Sequence, residues 1–183
     1  EEKTIKACEK EIIRRYYNSL VDFKLAKSDY KGLEKIEILM SSLNLEASDR
    51  KVAQKAREKQ KEKKAEIFAI ELCEGKIVTG KKSKLMSAPA ACILNALKEI
   101  SGINDEIPLI SPHILEPVIK LKEDILKEKD ESLSVNDVLI ALSISATTNP
   151  VSHLALENLN KLKGLDAHST IILDESDKKT LLK

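Results

Sequence analysis

The side chains able to do chemistry in these 183 residues are few and far apart. His113, His153 and His168 are the three histidines, the residue type that titrates near neutral pH and most often holds metals. A metal cluster would need all three to converge, and their spacing shows no sign of it. His153 falls in the first turn of a predicted helix and His168 at a predicted strand start, where hydrogen-bonded structural roles are common. Cys92 lies within the apolar run APAACILNAL. A nucleophilic thiolate needs a lowered pKa and a neighbouring base, and neither is visible. No catalytic residue and no metal ligand set is assigned.

Anion binding is the chemistry with a physical basis. Ser111-Pro112 and Thr147-Thr148-Asn149-Pro150 both read as helix starts, with unpaired backbone N–H groups and the positive end of the helix dipole. The first follows the end of a predicted strand, where α/β sheets place ligands. Ser111, His113, Thr147, Thr148, Asn149, His168, Ser169 and Thr170 form the candidate set. Ser, Thr and Asn are also the preferred helix caps, so simple capping stays open beside a ligand site.

The elements that must position these residues divide in two. Residues 1–64 read as a helical subdomain. Ile5, Cys8, Ile12, Tyr16, Leu20 and Phe23 recur at spacings of three and four, and Asp29 starts a second helix with Tyr30, Leu33, Ile36, Met40 and Leu43 inward. Residues 50–64 hold eight basic and two acidic residues, a local charge of +6, with almost nothing to bury. Such a run reads as a solvated helix or linker, and no aromatic side chains interleave it to stack bases.

Beyond residue 65 the period changes. Runs at 66–73 and 76–80 joined by Glu74-Gly75 predict a hairpin. A helix follows over 88–101, stopped by Gly102. Ile107–Ser111 reads as a short strand, and Ser111-Pro112 opens a helix to about Lys127. Ser134 opens another that is apolar nearly all round and so expected to be buried, Asn149-Pro150 a third to Lys163, and residues 168–173 form a last strand before a helix starting at Ser176. This order predicts an α/β fold, a three-layer α/β sandwich over 65–183.

The bulk numbers bound the rest. Apolar residues make up 42% and charged ones 33%, with a net charge of +1, so a sizeable core is possible and no global pull towards nucleic acid exists. Three scattered cysteines suit reduced thiols, and no apolar run approaches a membrane span. A cytoplasmic protein with no membrane role and no nucleic-acid role is expected. The chain opens without Met and stops inside a predicted helix, which reads as a piece of a longer protein.

Several blocks, among them FAIELCEGKIVTGKKSKLM, LISPHILEPVIKLK, LIALSISATTNPVSHLALENLNKLKG and AHSTIIL, resemble a family of bacterial proteins termed domain of unknown function 1846. The resemblance covers nearly the whole chain. It implies the C-terminal portion of a protein roughly two and a half times longer, whose N-terminal part is similar to a nucleotide-binding α/β domain. No GxxxxGK[ST] segment occurs here. Nucleotide is therefore a cofactor expected of the full-length protein and not of this chain.

A more distant resemblance is to the cytidine deaminase fold, in the order hairpin, helix, strand, helix. It places the first metal-ligand position at Ala91 and the proton-shuttling carboxylate at Ile93, with Pro112-His113-Ile114-Leu115-Glu116 opening the second helix. A catalytic zinc needs about three protein ligands and a separate acid. Alanine cannot ligate and isoleucine cannot carry a proton, so deaminase chemistry is excluded there. The expectation is a non-catalytic scaffold or interaction module that meets the N-terminal domain of the same protein and forms a homo-oligomer. The alternative is the substrate-binding part of a nucleotide-dependent enzyme.

Overall fold

The computed structural model describes residues 2–126 and 132–182. The chain divides into two compact units, Glu1–Gln54 and Lys55–Lys183.

In the first unit, α1 (Glu2–Lys24) packs on α2 (Tyr30–Ser42), burying Ile13, Leu33 and Met40. A short 3₁₀ turn, Ala47–Asp49, follows, capped by its own Asp49 carboxylate accepting from Glu46 N–H at 2.7 Å. Tyr17 reaches it with a 3.3 Å bond to Ala47 O. The stripe read from sequence is only partly inward, since Ile5, Cys8, Phe23, Tyr30 and Leu43 are exposed. The basic segment forms α3 (Lys51–Lys63), which crosses from one unit to the next. It buries more than expected. Val52, Ala53 and Ala56 lie three and four apart and lose all contact with solvent, while its cations pair locally, as Lys59 does with Glu62 at 2.8 Å.

The second unit is a mixed α/β structure around a small sheet. β1 (Ile67–Glu71) and β2 (Ile77–Lys81) form the expected antiparallel hairpin, turned by Gly75 at φ 78°. β3 (Asp166–Ser169) pairs antiparallel on the other side of β1, giving the order β2-β1-β3. α4 (Ala88–Ser101) ends at Gly102, whose φ of 65° no branched residue adopts easily. It lies against β1 and β2 at very short range. A Cβ on Gly80 would collide with Ala88 O and Cys92 N. Asn95 and Cys92 bond the carbonyls of Thr79 (3.0 Å) and Val78 (3.5 Å) along β2.

α5 (Pro112–Lys120) continues into a π-helical segment over Leu121–Leu126; Lys127, its expected end, lies outside the described residues. Pro117 inside α5 has no N–H for the His113 carbonyl. α6 (Val135–Ser145) and α7 (Pro150–Glu157) pack on each other and on α4, and α8 (Glu175–Leu181) packs on α6. The core joins Phe68, Ile70, Cys92, Leu97, Leu133, Val138 and Leu142. α6 is not buried all round, for Ile140 and Ile144 are half exposed.

Two strand expectations need correction. Residues 107–111 form no strand. Pro108 offers no donor, a turn at Asn104 accepts Ile107 N–H, and the Leu109 carbonyl accepts from the Ser152 hydroxyl at 2.6 Å. The last strand lies at 166–169 and not at 168–173. Thr170 ends it by folding its hydroxyl onto Ile67, accepting from Ile67 N–H at 3.0 Å and donating to its carbonyl at 3.1 Å. Ile171 and Ile172 are left exposed. The helix expected as far as Lys163 stops at Glu157 and gives way to a 3₁₀ turn, Leu159–Leu162.

Candidate functional site

A buried polar cluster in the second unit lies where three helices begin. Residues 83–87 run beside 132–134, with Met86 and Leu133 in a parallel bridge and Ser87 N–H donating to Leu133 O at 2.9 Å. This sets the starts of α4 and α6 side by side. Ser87 caps α4 by accepting from Ala90 N–H. Ser134 and Asp137 form the reciprocal capping box of α6.

Asp177, in the first turn of α8, joins them. Its backbone N–H is capped by Asp174 at 2.7 Å, while its carboxylate accepts from the Ser87 hydroxyl at 2.7 Å and from Val135 N–H at 2.6 Å. Val135 heads α6, where backbone donors lack intrahelical partners, so one helix supplies the cap of another. The residue is 1% exposed. Burial pushes its carboxyl above the ordinary range, against the pull of the Val135 and Ser87 bonds.

Asp137 is placed differently. Burial would raise it, but Lys122 Nζ at 2.9 Å and the Ser134 N–H and hydroxyl, each at 2.9 Å, outweigh that and hold its carboxyl low. Lys122 also donates to Ser132 O at 2.9 Å and is itself buried. Both oxygens of Asp177 and the second oxygen of Asp137 are thus engaged by the chain itself. The arrangement fastens the helix starts to one another.

The residues singled out in sequence are distributed otherwise. Ser111 heads α5 without a side-chain cap bond, and His113 is exposed on the same helix. Thr147 donates to Ile144 O at 2.7 Å, Thr148 N–H donates to Ser145 O, and Asn149 caps α7 by accepting from Val151 N–H at 2.9 Å. His168 is buried in β3 opposite Ala69, Ser169 accepts from Ile171 N–H at 3.3 Å, and Thr170 closes the sheet. Thr147–Asn149 share one turn and His168–Thr170 one strand end. These bonds join neither group to the other or to Ser111.

Ala91 sits in the first turn of α4 and Ile93 faces the core; His113 and Glu116 are exposed on α5. Burial raises the Cys92 thiol far above its usual range, and backbone hydrogen bonds at Ile70 and Gly80 lower it only in part. Among the described residues no three His, Cys, Asp or Glu side chains gather as metal ligands would. The Ser87–Asp177 and Lys122–Asp137 pairs were not legible in sequence. The acid three residues after Asp174 was the one local signal.

Comparison with known proteins follows the same lines. Residues 48–183 match the model of the domain of unknown function DUF1846, C-terminal. A UPF0371 protein of Fusobacterium nucleatum subsp. nucleatum is 47% identical over 190 residues, covering 97% of this chain and 38% of that protein. A UPF0371 protein of Streptococcus pneumoniae (strain Hungary19A-6) is 45% identical over 183 residues, covering 100% of this chain and 37% of that protein. The chain spans less than two fifths of the length of these curated relatives.

Proposed function

Because the chain belongs to the DUF1846 C-terminal family, we propose that it is the C-terminal scaffold and interaction module of a larger polypeptide, turning over no substrate alone. The observation that carries this is the Asp177 cluster. Where three helix starts converge and could have bound an anion, a buried carboxylate of the chain's own occupies the place. A helix terminus occupied in this way fastens the fold, and its Val135 N–H is taken by the chain itself. The free cysteines Cys8, Cys73 and Cys92, two of them exposed, support a reducing compartment such as the cytoplasm. Among the described residues no helix is long and apolar enough to cross a membrane.

A second reading, a substrate-binding part of a nucleotide-dependent enzyme, is favoured by one observation: Ser111 heads α5 with its hydroxyl making no cap bond. One comparison separates the two. ATP with magnesium is added to this chain and to a full-length relative, and hydrolysis and melting temperature are measured. The scaffold reading expects no turnover and no shift for the chain alone. Hydrolysis by the chain, or a melting shift with altered amide resonances near residues 111–113, favours the second reading.

A further inference from the structure

The first unit leaves an apolar groove open between its two long helices. Ala7, Cys8 and Ile12 line it from α1, and Ile36 and Leu39 from α2, around a space of about 500 Å³. Large apolar side chains on the same helices stand in solvent, with Ile5 55% and Ile38 63% exposed. A helix pair ordinarily turns such residues inward, and an open groove lined by apolar side chains marks a surface that meets something. The charged residues of the lining do not ask for a charged partner. Arg15 bonds Glu11 at 2.9 Å, and Glu11, which Arg14 also holds, has its carboxyl drawn down to about 2 by the Arg14 and Arg15 bonds. The occupant is therefore apolar.

Two findings say where it comes from. The C-terminal family model begins at residue 48, yet the relatives match 97% and 100% of the chain. α1 and α2 are thus shared with the relatives but lie ahead of the C-terminal domain. More than three fifths of each relative's length falls outside the match. We propose that α1 and α2 belong to the preceding domain of one long polypeptide, and that their groove receives an apolar segment of that domain. This rests on the larger polypeptide of the functional reading above. A covalently linked occupant acts at high effective concentration, so a groove of this modest size suffices.

Hydrogen exchange read by mass spectrometry tests it, on this chain and on the full-length Fusobacterium nucleatum relative. Peptides matching residues 4–15 and 36–43 should exchange about tenfold more slowly in the relative. The double variant Ile12→Asp/Leu39→Asp adds a second measurement. In this chain it should leave melting nearly unchanged, because both side chains are partly exposed already. In a polypeptide of the relatives' length, it should open the junction ahead of α1 to limited proteolysis. Equal exchange in both proteins overturns the assignment. So does concentration-dependent dimerisation of this chain that protects the same peptides, which would give the groove to a second copy. Exchange reads packing and not turnover, so either failure leaves the non-catalytic reading standing.

Discussion

Asp177 carries its carboxylate to a place that water hardly reaches, and two donors from distant parts of the chain close on it. Truncating it to alanine leaves the Val135 N–H and the Ser87 hydroxyl without their acceptor. A buried donor stranded in this way costs about 1–3 kcal/mol. Asp177→Ala should therefore lower unfolding free energy by about 2–3 kcal/mol in urea denaturation. Asp177→Asn keeps one acceptor oxygen for Val135 and should lose less. If the alanine variant were as stable as the parent, the carboxylate would not be fastening the two helix starts. Lys122 and Asp137 make the neighbouring tie, in which the charge itself matters. Removing either partner takes a 2.9 Å ion-pair bond from a charge that stays partly buried.

At the scale of elements, the fit between β2 and α4 depends on one missing atom. Gly80 gives up its side chain so that the α4 backbone can sit against the strand. The obstructing atoms are backbone and cannot swing aside. Gly80→Ala should therefore destabilise by about 3 kcal/mol, the upper range for overpacking, read as a lowered urea midpoint at unchanged slope. A neutral effect would mean that α4 slides away at little cost. Elements set by local chemistry were legible in advance. α4 spans 88–101 and stops at Gly102 as read, and α6 opens at Ser134. Strands were less so, because a short apolar run does not reveal its partners. Leu109 and Ile110 are buried as a strand's residues would be, but the Leu109 carbonyl goes to Ser152. Similarly, nothing local shows that the Thr170 hydroxyl will end β3 by turning back to Ile67.

For the whole molecule, the two aspartates give stability opposite dependences on pH. Asp177 has its carboxyl raised in the fold, so the folded chain binds that proton more readily than the unfolded one. Its contribution is greatest when protonated and falls as pH rises from the ordinary 3.8 towards the raised value. Asp137 is held low, so its contribution is complete above 3.8 and lost as pH falls through its folded value. Urea unfolding of the parent and Asp177→Asn, from about pH 4 to about pH 7, isolates the first effect. The stability difference should shift in favour of the variant as pH rises, and a constant difference would sink the argument. The candidate site escaped sequence reasoning for the same reason that it matters. Its bonds span 90 residues from Ser87 to Asp177 and 42 from Val135 to Asp177, and no periodicity encodes a meeting at that distance.

That separation has a bearing on biosynthesis. A ribosome releases the starts of α4 and α6 long before it reaches residue 177, so during translation the Ser87 hydroxyl and the Val135 N–H wait for their acceptor. The tie between α4 and α6 can close only when α8 emerges, which makes that short helix a latch on the two made before it.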